Sequence, residues 1–263
     1  MNYSLKLQNK ITSYYEKYYR ACGLPDYKER AQRRLREEET ELKRMDYLQN
    51  LLNSNFEEGQ KHFIFGAGTG GLAISLFKEY SCDVYGIEPC REEFKIIQEK
   101  CREVGINPKN FKQEFGEKLS YLDNQFDFLH CFTVLEHVRS IEKCIEEMIR
   151  ITKPGGYIYI NTSNYKFPYE GHYKIPFPTF LPKIFGYFYL LLRRKPWKFL
   201  KSINFITENQ LNKVLVRQRG IYWFRIYKPF KKKRGGLRDL FYNFLKFNLF
   251  IYPNQEILIK KNY

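Results

Sequence analysis

The chain has 263 residues, 43% hydrophobic and 18% aromatic, enough to bury a sizeable core and to exclude a wholly disordered protein. Its net charge of +16 is concentrated: residues 166–263 hold 21 Lys/Arg against 4 Asp/Glu and 24 of the 47 aromatics, whereas residues 61–165 hold 13 against 15. No stretch reaches the ~20 apolar residues of a spanning helix, MNYSLKLQNK lacks a signal peptide's apolar run, and the six cysteines form no C-x-x-C pair, so a reduced, cytoplasmic setting is expected.

Residues 26–56 read as helix, because Leu35, Leu42, Met45, Leu48 and Leu52 recur at three- and four-residue steps among charges. The pattern then alternates. HFIFGA is a buried strand and TGGLAISLFKEY a helix; CDVYGIE (82–88) is a second strand, and EEFKIIQEKCREVG a helix closed by Gly105. FKQEF (111–115) and FDFLHCF (126–132) are strands three and four. SIEKCIEEMIRIT is a helix ended by KPGG (153–156), and YIYINTS (157–163) is strand five. Strands alternating with helices predict a doubly wound parallel α/β sheet.

After residue 163 the alternation stops. NYKFPYEGHYKIPFPTFLPK reads as an ordered, irregular loop, followed by two apolar-basic segments and a helix capped by Thr207. IYWFRIY (221–227) and EILIKK (256–261) read as closing strands, with a basic run and an amphipathic aromatic helix over 236–250 between them. The expected divisions are a helical segment 1–58, a cofactor-binding core 59–163, a substrate loop and insertion 164–206, and the end of the fold at 207–263.

FIFGAGTGGLAISL holds two overlapping fingerprints. Gly66, Gly68 and Gly71 satisfy G-x-G-x-x-G, a dinucleotide pattern; Gly66, Gly68 and Gly70 satisfy G-x-G-x-G, a pattern for a nucleoside sulfonium. Either needs a sharp turn between strand and helix with backbone open to a ligand. Glu88, ending the second strand, could accept from both ribose hydroxyls of NAD or of S-adenosylmethionine, so the glycines and Glu88 leave both open.

The downstream segments decide. With FGAGTGG and IEP (87–89), the segments FGEKLSY (115–121), FDFLHCFTVLEHV and KPGG resemble, in order, the class I S-adenosylmethionine-dependent methyltransferases, in particular the branch with quinone-biosynthesis and small-molecule enzymes. The resemblance covers roughly residues 60–163. It implies a Rossmann-like, doubly wound seven-stranded sheet ending in an antiparallel hairpin. It also implies S-adenosyl-L-methionine as cofactor, held around Gly66, Ala67, Gly68, Gly70, Glu88, Phe115, Gly116, Glu117 and Phe132. Two positions depart from the family pattern. Ile64 stands where an acid usually helps orient the cofactor's amino-acid end, and an N-terminal-helix residue or backbone would replace it. Phe115 stands where an Asp often accepts from adenine, leaving it to wall the adenine, with backbone or Glu117 as the polar partner.

Ligands of open α/β sheets lie beyond the strands' carboxyl ends, which puts the acceptor near residues 132–138 and 161–176. There the loop supplies Asn164, Glu170, His172 and Tyr173. His172, aligned by Glu170, is the candidate general base, with Tyr173 and His137 as further catalytic candidates; the bland reading is that His172 only bonds loop backbone. His62 and His130 sit in strands and are expected to be packed, and no His/Cys cluster suggests a metal. Aromatics at 165, 167, 169, 173 and 177 could wall a ring or sugar, or form a local core. The expected reaction is methyl transfer to a hydroxyl or carboxyl oxygen of a small molecule, glycan or lipid-linked acceptor. The basic aromatic third suits an anionic membrane surface better than nucleic acid, since the chain has no NPPY-like or DPPY-like tetrapeptide of the kind that nucleic-acid amino-methylating enzymes of similar fold tend to carry. An RNA or DNA methyltransferase and a non-catalytic relative are the alternatives.

Overall fold

Alternating strands and helices between residues 61 and 163 build most of a seven-stranded sheet in the computed structural model, which describes residues 3–179, 181–227, 243–245 and 251–263. The strands are β1 (Lys61–Phe65), β2 (Asp83–Ile87), β3 (Phe111–Lys112), β4 (Phe126–Phe132) and β5 (Thr152–Ser163). A short pair follows, β6 (Tyr169–Glu170) and β7 (Ile175–Pro176), and then β8 (Ile221–Arg225) and β9 (Asn254–Lys261). The sheet order is β3-β2-β1-β4-β5-β9-β8, parallel through β5 and closed by β9 and β8 as the antiparallel hairpin that the resemblance implies.

Both sheet faces are covered. Phe63, Phe65, Leu129 and Cys131 point to one core with Ile145 and Met148 of α6 (Ile141–Ile151). Ile64 and Phe128 point to the other, with Leu72 and Ile74 of α4 (Gly71–Tyr80) and Ile97 of α5 (Arg91–Val104). Strands covered on both faces read as continuous apolar runs, as HFIF and FDFLHCF do. The remaining helices are α1 (Leu5–Ala21), α2 (Tyr27–Arg33), α3 (Glu37–Leu52), α7 (Lys183–Leu192) and α8 (Glu208–Leu215). Thr207 caps α8 through a reciprocal capping box with Gln210, a device worth about 1 kcal/mol.

Three local expectations change. The helix expected over 26–56 is broken by a 3-10 turn at Arg34–Arg36, which turns Glu37 and Glu38 inward toward Lys100. The third strand stops at Lys112, because only Gly86 and Ile87 of β2 are available to pair. KPGG lies inside β5 as an irregularity: the register jumps from Phe126↔Thr152 to Phe128↔Tyr157, with Gly155 at φ +79° absorbing the extra residues. The helix expected over 236–250 falls outside the described residues except for 243–245.

Candidate active site

Gly66, Ala67, Gly68 and Gly70 form the turn from β1 into α4. Gly68 has φ +56°, and a Cβ there would meet no atom within 4 Å, so its backbone is open to a ligand. Gly66 is enclosed: a Cβ would stand 2.4 Å from Val134 Cγ2, so the turns after β1 and β4 touch. Strand order reverses between these two strands, and that switch point is where open α/β sheets bind ligands.

Glu88 reaches this turn from the end of β2. Its Oε2 accepts the Gly68 N–H and its Oε1 the Cys90 N–H, both at 2.8 Å. Burial, with the charge of nearby Glu93, pushes its carboxyl up to about 7. Phe115 is exposed, with the Arg139 guanidinium 5.2 Å from its ring centre, and Gly116 packs on the Phe65 ring. Glu117 faces elsewhere: its Oε1 accepts the Arg139 N–H at 2.7 Å and the Ser140 N–H at 3.3 Å, anchoring the approach to α6. The Phe132 ring lies under the Arg44 guanidinium at 4.2 Å. An open backbone turn beside a carboxylate fits a ribose-bearing cofactor, and Gly68 and Glu88 are the residues that would hold it.

The N-terminal helices close over this turn. Ile64 is buried with Met45 and Leu48 of α3, so a carboxylate at position 64 would be desolvated. Charge comes instead from α3. Thr69 Oγ1 donates to Glu37 Oε1 at 2.7 Å and lies 2.9 Å from the Tyr15 hydroxyl. Fully buried Lys100 donates to Glu37 at 2.7 Å and to Glu38 at 3.0 Å. Burial alone would raise the Glu37 carboxyl, yet Lys100 and Arg34 hold it below the usual carboxylate range. The sequence does not single out Glu37, Glu38 or Lys100, because EEET in a charged helix has the pattern of a solvated face.

Beyond β4 and β5 the structure brings His137, Glu170, His172 and Tyr173 together. His172 Nδ1 lies 2.7 Å from Glu170 Oε1, and the His137 and His172 rings meet edge to face at 5.2 Å. Glu170 also accepts the Tyr173 N–H at 2.7 Å and the Tyr165 hydroxyl at 3.2 Å. Burial would raise its carboxyl, but these donors, His172 first, hold it below the ordinary value. Burial lowers His137, keeping it neutral. The Tyr173 hydroxyl donates to the Pro196 carbonyl at 2.6 Å, which makes it a strut of the insertion. Asn164 bridges Glu208 and the Tyr252 carbonyl, away from the imidazoles.

Two residues not foreseen complete the cluster. Phe199 packs on His172 at 5.0 Å, and buried Glu136 accepts the Thr162 hydroxyl at 2.7 Å, tying LEHV to the end of β5. Tyr165, Tyr173 and Phe177 are buried with Leu190 and Leu200, so the loop aromatics form a local core. His62 and His130 pack inside the sheet, 2.9 Å apart. Among the described residues no three His, Cys, Asp or Glu come together where they could hold a metal ion.

Sheet order, glycine turn and strand-end carboxylate define a class: doubly wound α/β proteins with a nucleotide-type site at the switch point of the sheet. Residues 64–160 match the family model described as a methyltransferase domain. Norajmaline N-methyltransferase of Rauvolfia serpentina is 35% identical over 112 residues, 42% of this chain and 38% of that protein. Ubiquinone biosynthesis O-methyltransferase of Erwinia tasmaniensis is 27% identical over 121 residues, 46% of this chain and 49% of that one. The chain therefore spans half or less of the length of these curated relatives. In fold, the YcgJ protein of Bacillus subtilis superposes with a TM-score of 0.52 at 15% identity, covering 79% of this chain and 94% of its own. Phosphoethanolamine N-methyltransferase 2 of Haemonchus contortus, solved with S-adenosyl-L-methionine, gives 0.51 at 13% identity over 87% and 53%. Over residues 64–160 the chain is thus similar to a methyltransferase domain, a likeness that covers less than half of its length.

Proposed function

We propose that the protein transfers a methyl group from S-adenosylmethionine to a hydroxyl oxygen of a small molecule such as a quinol, phenol or sugar. The observation that carries this reading is the Glu170–His172 pair at 2.7 Å, set with His137 beyond the carboxyl ends of β4 and β5. Bound at Gly68 and Glu88, the cofactor would supply a methyl group activated by its sulfonium. The chain's own task is to orient the acceptor, keep water out and receive a proton. Glu170 on Nδ1 fixes the His172 tautomer, so that Nε2 takes the hydroxyl proton, and the carboxylate then stabilises the imidazolium. The ubiquinone enzyme's name supports an oxygen acceptor; that of the norajmaline enzyme supports nitrogen, which the Glu170–His172 pair is less needed to serve.

Methyl transfer from labelled cofactor to a panel of catechols, sugars and amines tests this. Turnover should favour hydroxyl acceptors and fall about a hundredfold or more in His172→Ala, with S-adenosylhomocysteine affinity unchanged. Undiminished turnover in that variant, with cofactor still bound, would remove His172 from the reaction.

A further inference from the structure

Helix α7 turns an apolar face to water. It buries only Gly186 and Leu190, while Ile184, Phe185, Phe188, Leu191 and Leu192 are 51–83% exposed. Residues 184, 188, 191 and 192 follow helical spacing and share one side. Contiguous exposed apolar surface of this kind marks a docking face. Charge identifies its occupant: residues 171–207 hold seven Lys/Arg and no Asp/Glu. Arg193, Arg194, Lys198 and Lys201, at and beyond the end of α7, are exposed.

We infer that α7 lies in the headgroup layer of an anionic phospholipid surface, with its apolar face inserted and the cations on lipid phosphates. An apolar face beside a one-sign cationic rim is the pattern of an interfacial helix. At ten residues α7 lies on the surface rather than crossing it, and among the described residues no helix is long and apolar enough to span a membrane. A second copy of the chain would set the same cations against each other, which electrostatics opposes.

The helix packs against the segment that carries the candidate active site. Gly186 packs on Phe177, the Tyr189 hydroxyl donates to the Pro176 carbonyl at 2.9 Å, and Leu190 shares a core with Tyr173. Phe199, just past the basic turn, packs on His172. A protein seated through α7 would hold Glu170 and His172 beside the lipid boundary and take an acceptor dissolved in it. That last step rests on the reaction proposed above; the surface contact does not.

Sedimentation of the full chain with phosphatidylcholine vesicles, with and without phosphatidylglycerol, tests the contact without any turnover. The chain should pellet with the anionic vesicles and be released by salt, and Phe188→Glu with Leu191→Glu should weaken partition about tenfold or more. Equal partition of that variant would overturn the inference. So would a wild-type chain that ignores vesicles but forms a dimer lost in the variant, which would make a second copy the occupant. A measurement independent of the variant's folding is quenching by brominated phosphatidylcholine in phosphatidylglycerol-containing vesicles, made on Trp223→Phe, which leaves Trp197 as the sole tryptophan. Quenching of Trp197 is expected, and its absence would also overturn the contact.

Discussion

Glu88 binds the glycine turn to the end of β2 through two backbone N–H groups, and the same carboxylate is the group that two ribose hydroxyls would use. Its elevated pKa, about 7, would couple cofactor binding at this turn to pH. Only the ionised form accepts from both hydroxyls, so affinity for S-adenosylhomocysteine should fall as pH drops below 7, by up to about tenfold per unit. The folded state's own response has the opposite sign. Because the folded protein holds this proton more tightly than the unfolded chain, Glu88 contributes stability at low pH that is lost between the ordinary carboxylate range and about 7. Titrations at pH 6, 7 and 8 check the binding claim; affinity that does not change across that range, in a chain that binds, would contradict it. Glu88 was legible because a strand end after a glycine turn is a position that the sequence pattern marks. Glu37 was not: its burial depends on Lys100, 63 positions away, and no local periodicity records that partner.

Among the elements, α3 departs furthest from its sequence pattern. It starts after a 3-10 break and carries Glu37 and Glu38 against Lys100 of α5, all nearly or fully buried. Two desolvated carboxylates without their cation are costly, so Lys100→Met should destabilise the fold by about 3–5 kcal/mol. Chemical denaturation measures this, and a loss below about 1 kcal/mol would mean that water reaches the pair. The effect should shrink when Glu37→Gln and Glu38→Gln accompany it. Other elements were readable in proportion to how local their causes are. Thr207 and Gln210 lie three residues apart and specify the start of α8 by themselves. KPGG is harder, since Pro and Gly read as a break while the pairing of β4 with Thr152 carries the strand through it. The β6–β7 pair has two residues per strand, too few for alternation to show. Its role is to bend the chain so that Glu170 and His172 face each other.

For the whole molecule, the parallel, doubly wound sheet follows from the run of strands and helices, since parallel connections must cross over and return on the same hand, while the place of the reversal between β1 and β4 is a long-range outcome. The way the N-terminal helices and the 164–206 insertion meet above the sheet is a long-range outcome that composition only hints at. Stability should also carry a whole-molecule signature at acid pH. Burial holds His62 near 3 and His130 well below its ordinary value, so the folded protein keeps both neutral. The unfolded chain takes up their protons below about 6.5, and stability then falls as pH drops, by about 1.4 kcal/mol per unit for each group. Glu88 offsets part of this over the same range, so the readout is the variant: His62→Phe should lose less melting temperature between pH 7 and 5 than the wild type, and an unchanged pH dependence in that variant would place water beside the pair. Everything proposed about chemistry depends on the turn at Gly68 holding a sulfonium nucleoside. Calorimetric titration with S-adenosylhomocysteine, alongside NAD, comes first. One-to-one binding of the former, with a Kd on the order of micromolar, no heat from NAD, and loss of binding in Glu88→Ala are expected. No binding at neutral pH, or NAD bound equally well, would contradict a methyltransferase site at this turn.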